Sequence, residues 1–197
     1  VLPGDLLGNY NDYISRSNPP KVQGIVPRTR VFAQLDRCLE APVAWVSGPA
    51  GSGKTALVAS YLEDQQLPCV WYKMDGSDAD TATFLSRLGR VLQNLLPPDA
   101  SPFPVLSSEY LHGLDVFASR FFEQMLTAEQ VPRLLVIDNY HEVPLEADIH
   151  LVLAKSFARL PAELPEKPCG KLILLRNDLY ANLCSFGSQR RRAQTIQ

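Results

Sequence analysis

Residues 43–55 read Val43-Ala44-Trp45-Val46-Ser47-Gly48-Pro49-Ala50-Gly51-Ser52-Gly53-Lys54-Thr55, and their order decides the fold. A short apolar run ends at Ser47, and Gly48 opens a turn that closes on Gly53, Lys54 and Thr55. The spacing is G-x-x-x-x-G-K-[ST], the Walker A phosphate-binding loop, which requires a strand before it and a helix after it. Its glycines let the backbone curl until several N–H groups converge on one anion. The lysine reaches β- and γ-phosphate oxygens as a point charge, and the hydroxyl of the last residue ligates magnesium. Downstream, Leu57, Val58, Tyr61 and Leu62 recur at helical spacing, so the positive end of a helix lies under the phosphates. This reading assigns Gly48, Ala50, Gly51, Ser52, Gly53, Lys54, Thr55 and Ala56 to the binding of a nucleoside di- or triphosphate.

The rest of the composition bounds the class. A chain of 197 residues with 46% hydrophobic and 20% charged residues suits one globular domain, or one domain with an appendage. A net charge of −2 gives no general attraction to nucleic acid or to an anionic membrane. Its longest apolar runs are too short to span a bilayer, and no signal peptide is visible at Val1. The lack of an initiator Met and the abrupt end at Gln197 lead us to expect a piece of a longer polypeptide. Cys38, Cys69, Cys169 and Cys184 form no C-x-x-C pair and have no His at metal-ligand spacing, so they read as reduced thiols in a cytoplasmic protein.

Outward from the loop, strand and helix signals alternate. Residues 1–24, with Pro19-Pro20 and no sustained periodicity, read as an N-terminal arm or linker, leaving 25–197 as the nucleotide-binding domain. Val31, Phe32, Leu35 and Leu39 predict a helix with Pro27 in its first turn. After the loop helix, which ends near Gln65, Cys69–Lys73 reads as a second strand. Asp75-Gly76-Ser77-Asp78-Ala79-Asp80 lacks the spacing and downstream Glu of a calcium loop and reads as a cap and turn, with Asp80 as N-cap. Phe84, Leu85, Leu88, Val91, Leu92 and Leu95 then line one helix face. Residues 97–107 form a Pro-rich loop, and Leu111, Leu114, Phe117, Ala118, Phe121, Phe122 and Met125 make a core-facing helical stripe. Residues 133–138 and 171–176 are apolar runs of the kind buried on both faces of a parallel sheet, with a helix over about 147–160 between them. Gln189-Arg190-Arg191-Arg192-Ala193-Gln194 reads as a solvated helix face. The alternation predicts an α/β fold, a P-loop three-layer sandwich with a mainly parallel sheet and right-handed crossovers.

Phosphoryl chemistry needs more than a loop. Asp138 ends an apolar strand where open α/β sheets place ligands, so with Thr55 it is the candidate magnesium carboxylate. The next residue is Asn139, whose amide can hold a water but cannot take its proton; hydrolysis, if present, should be slow. His141 and Glu142 are nearby but displaced along the chain. Arg176 ends the last buried strand; from there it either reaches the γ-phosphate or pairs with a surface carboxylate.

Five elements in order carry a resemblance: Ile25-Val26-Pro27-Arg28, the Pro-Ala-Gly-Ser-Gly-Lys-Thr loop, Trp71-Tyr72 followed by Asp75-Gly76, Val136-Ile137-Asp138-Asn139-Tyr140-His141, and Leu174-Leu175-Arg176-Asn177-Asp178. Together they resemble the nucleotide-binding domain of STAND signalling ATPases, nearest the MalT-type and large LuxR-type bacterial transcriptional regulators. The resemblance runs from about Pro20 to the C-terminus and implies a switch that rests with ADP, exchanges it for ATP and then self-associates. It implies that Ile25, Val26 and Arg28 contact the adenine end, that Lys54, Thr55 and Asp138 take the phosphate and Mg²⁺ roles, and that Arg176 senses the γ-phosphate. It also implies partners outside this chain: C-terminal regulatory domains, and DNA contact only through a domain absent here. Two departures stand out. Asn139 occupies the usual place of a second acidic residue, and Leu175 that of a Ser. A nucleotide-locked scaffold with no turnover is therefore the competing reading. A small-molecule kinase would need an Arg-rich lid, and none is legible between the third and fourth strands.

Overall fold

The computed structural model describes residues 18–22, 24, 28–106, 113–159, 171–177 and 193–196. Helix α1 (Thr29–Cys38) precedes strand β1 (Val43–Gly48), helix α2 (Lys54–Asp64) and strand β2 (Val70–Lys73). A 3₁₀ turn at Gly76–Ala79 leads to α3 (Thr81–Gln93), then α4 (Leu114–Thr127), β3 (Leu134–Asp138) and a second 3₁₀ turn at Tyr140–Glu142. Helix α5 (Ile149–Arg159), β4 (Lys171–Asn177) and β5 (Ala193–Ile196) complete the described elements.

The strands form one sheet in the order β2-β3-β4-β1-β5, and every pairing is parallel. Parallel neighbours need crossover connections, which is why helices cover both faces. Side-chain alternation sorts the two faces. Ala44, Val46, Trp71, Leu134, Val136, Ile173 and Leu175 pack with α1 and α2. Val43, Trp45, Val70, Tyr72, Leu135, Ile137, Leu172 and Leu174 pack against α3, α4 and α5. The chain thus adopts the three-layer α/β architecture expected of it, with the sheet buried between the two helical layers.

Local sequence explains the joints. Asp75 caps the first 3₁₀ turn in a capping box with Asp78, and Asp80 caps α3 through the Thr83 N–H. Asp78 is fully buried, accepts from Tyr72 Oη at 2.8 Å and from the Asp75 N–H at 2.9 Å, and meets Arg87 Nη1 at 3.2 Å. That carboxylate is therefore a satisfied structural group rather than a cation ligand.

Two expectations change. Leu95 lies beyond the end of α3 and is 43% exposed, because the helix stops at Gln93 and the next turn rotates it away from the core face. Ala193 and Gln194, expected on a solvated helix, belong to β5, which extends the sheet beside β1. Val22, inside the expected arm, packs against the α1–α2 side of the core. Residues 1–17, Ile25, Val26, Pro27, Leu111, 160–170, Cys184 and the arginines at 190–192 lie outside the described residues.

Candidate phosphate-binding site

The site is assembled at the C-terminal ends of β1 and β3. The backbone leaves β1 at Gly48 and returns into α2 at Lys54, with Gly51 at φ 75° and Gly53 at φ 82°. Those positive φ values are open to glycine and cost an ordinary L-residue about 1–2 kcal/mol each. At Gly48 a Cβ would lie 2.9 Å from Ser52 Oγ, a contact that rotation of the Ser52 hydroxyl can relieve. The curl thus depends on glycine at positions 51 and 53.

Helix α2 begins with no side-chain cap and no acidic residue in its first turn. The N-cap side chain thus contributes nothing to the helix start, and a helix N-terminus with its positive dipole end is the kind of place that binds phosphate. Lys54 Nζ folds back over the same loop, donating to the carbonyls of Gly48 and Pro49 at 2.8 Å each and lying 3.4 Å from Ser52 Oγ. One cation is therefore held directly above the curled backbone. Ala50 is exposed in the turn and Ala56 is half-buried in the first turn of α2.

Asp138 reaches the same place from β3. It is in phase with Leu134 and Val136, so it points to the α2 face of the sheet, and it is 5% exposed. The Thr55 hydroxyl lies 3.2 Å from Asp138 Oδ1 and 3.1 Å from Oδ2, and the Asn139 N–H donates to Oδ1 at 2.9 Å. A hydroxyl and a carboxylate side by side form a hard oxygen pair of the kind magnesium takes. The curled loop, the uncapped helix start and this pair fit a magnesium–nucleotide.

Asn139 has φ 57° and ψ 31°, a left-handed conformation that Asn and Asp tolerate better than other non-glycine residues. Its position just after the strand serves the turn into Tyr140–Glu142 as well as any chemistry. His141 Nε2 lies 3.5 Å from Glu142 Oε1. Arg28 is exposed at the N-cap of α1, where its carbonyl accepts from the Val31 and Phe32 N–H groups at 2.8 and 3.0 Å.

Arg176 is placed differently from the phosphate-loop residues. It follows Leu172 and Leu174 in alternation, hence on the α3–α5 face, and its guanidinium carbon stands 4.7 Å from the Trp45 ring centroid. Trp45 meets Tyr140 edge-on at 5.5 Å, and Tyr140 Oη is 2.6 Å from His150 Nδ1. Burial pushes the Tyr140 phenol pKa well up, and the Arg176 charge pulls part of that back. Sequence reasoning missed Trp45, Tyr140 and His150. The available signal was the shared alternation of Trp45, Leu174 and Arg176, which becomes useful only once β1 and β4 are known to be neighbours.

A parallel sheet with a glycine loop feeding a helix and a carboxylate at the next-but-one strand defines a P-loop nucleotide-binding domain. Residues 39–172 match the family described as AAA domain, and the chain belongs to that family. It is 31% identical over 133 residues to the HTH-type transcriptional regulator MalT of Yersinia pestis (strain Pestoides F) and to that of Yersinia pseudotuberculosis serotype O:1b, a match covering 66% of this chain and 14% of either relative. Yersinia enterocolitica MalT is 30% identical over the same span, with the same coverage. The resemblance to MalT-type regulators read from the motifs is borne out, while the chain spans only 14% of the length of these relatives.

Proposed function

We propose that this chain is the ATP/ADP-binding switch domain of a regulator, holding magnesium–nucleotide and hydrolysing ATP slowly to reset itself. The observation that carries the reading is the meeting of Thr55 and Asp138 beside the curled loop. Lys54, Gly51, Gly53 and the start of α2 would hold the phosphates; Thr55 and Asp138 would hold Mg²⁺, directly or through water. Bound there, magnesium would supply neutralisation of the phosphate charge. Loop and helix dipoles orient the phosphates, and Asn139 beside them can position a water without accepting its proton. Arg176 takes the γ-phosphate-sensing role, and Arg28 with Val26 the adenine end. Residues 25–197 form the nucleotide-binding unit, and residues 1–24 an arm.

The relatives are named transcriptional regulators, which supports an output through further domains of a longer cytoplasmic protein, including DNA contact by a part not in this chain. Self-association in the ATP form belongs to the same reading. No helix among the described residues is long and apolar enough to cross a membrane.

Asn139 favours a second reading, a scaffold locked on unhydrolysed nucleotide. Denaturing freshly purified protein and identifying the released nucleotide by chromatography separates the two. ADP near one per chain supports the switch; intact ATP supports the scaffold.

A further inference from the structure

Trp45 and Arg176 sit on neighbouring parallel strands. Ser47 is the register partner of Arg176 and Trp45 that of Leu174, so Trp45 is the diagonal neighbour of Arg176 on one face of the sheet. The 4.7 Å approach of the guanidinium to the indole is within cation–π range, an attraction that grows where water is excluded. Trp45 is 7% exposed, so this ring is dry on most of its surface.

The indole is itself braced. Tyr140 packs against it at an interplanar angle of 74°, and Tyr140 packs in turn against His150 with ring centroids 5.1 Å apart. His150 Nε2 lies 2.8 Å from the Pro144 carbonyl, which can only accept. Nε2 therefore carries the proton, and in the neutral ring Nδ1 accepts from the Tyr140 hydroxyl. Four side chains thus run from β4 through β1 to the start of α5, each fixed by the next.

We propose that Trp45 is a positioning residue for Arg176: its face, braced by Tyr140, fixes where the guanidinium sits and thereby sets how strongly the domain distinguishes ATP from ADP. The proposal rests on the sensor reading of Arg176 given above. An aliphatic residue at 45 fills core volume but has no negative ring face, so the guanidinium loses its seat.

The test titrates magnesium–ATP and magnesium–ADP by calorimetry into the whole chain carrying Trp45→Leu, Trp45→Phe, Arg176→Ala, or Trp45→Leu with Arg176→Ala. Trp45→Phe should keep most of the ATP-to-ADP affinity ratio. Trp45→Leu should narrow it about fivefold or more, and the double variant should go no further than Arg176→Ala alone. A ratio unchanged by Trp45→Leu but narrowed by Arg176→Ala overturns the proposal and leaves the sensor reading standing. A ratio unchanged by Arg176→Ala overturns both. Should Trp45→Leu fail to fold, site-specific stepwise fluorination of Trp45, with Trp71 left unlabelled, drains the ring face of negative charge at nearly constant shape. The ratio should then fall step by step with fluorine count, and a flat series overturns the proposal.

Discussion

The Thr55 hydroxyl lies 3.2 Å from Asp138 Oδ1 and 3.1 Å from Oδ2, across 83 positions of chain. Two elements far apart in sequence, the start of α2 and the end of β3, are brought together there by the parallel sheet. The contact converts two separate sequence motifs into one site.

Removing the carboxylate should separate magnesium from nucleotide binding. Asp138→Ala takes away the acceptor of both the Thr55 hydroxyl and the Asn139 N–H. ATP affinity should lose its dependence on magnesium, while ADP retains measurable affinity. Calorimetry with and without magnesium checks this, and an unchanged magnesium titration would count against the assignment.

Asn139 has a conformational job, and the proposed function gives it a separable chemical one. Asn139→Asp keeps a residue type that tolerates φ 57° and adds a group able to accept a proton. Turnover should rise about tenfold or more, at the lower end of or below what a positioned base contributes. Asn139→Ala should instead cost about 1–2 kcal/mol of stability from left-handed strain alone. Steady-state phosphate release and chemical denaturation measure the two effects, and an unchanged rate in Asn139→Asp removes the argument that the amide limits hydrolysis.

The loop, its helix and the end of β3 were legible because their signals are local. Glycine spacing fixes the curl, and the apolar run ending at Asp138 is how a strand covered on both faces reads. The Asp80 cap was legible for the same reason. What was not legible depends on neighbours. Ala193–Ile196 carries little apolar alternation, and its strand character comes from pairing with β1. The Trp45 seat of Arg176 requires knowing that β4 lies beside β1. Leu95 fits a helical period, but the period alone does not mark where α3 ends.

Helix α2 ends in a strained cap that can be relieved. Gln66 has φ 51°, and the Leu67 N–H donates back to the Leu62 carbonyl at 2.9 Å, the pattern in which glycine is preferred at the left-handed position. Gln66→Gly should stabilise the fold by about 1 kcal/mol, raising Tm by about 2–4 °C for a chain of this size. A thermal melt decides it; an unchanged or lowered Tm contradicts the cap assignment.

The N-cap of α3 makes stability depend on pH at the acid end. Asp80 accepts from Thr83 Oγ1 at 2.6 Å and from the Thr83 N–H at 2.9 Å, and these bonds hold its carboxyl pKa below the ordinary value. A depressed folded pKa gives stabilisation that is complete above the unfolded value and is lost as pH falls through the folded one. Asp80→Ala should cost about 1 kcal/mol at neutral pH. The gap between wild type and variant should begin to close below about pH 4, the unfolded value, and narrow further as pH falls through the lower folded one. Denaturation midpoints across pH 3–7 check the narrowing.

The Lys54 ammonium donates to the Gly48 and Pro49 carbonyls above the loop, so nucleotide binding should fail most completely without it. The decisive measurement is calorimetric titration of magnesium–ATP and magnesium–ADP into the wild-type chain and into Lys54→Ala. The account predicts one saturable site in wild type and loss of tight binding in the variant. Equal affinity in the two proteins would contradict it.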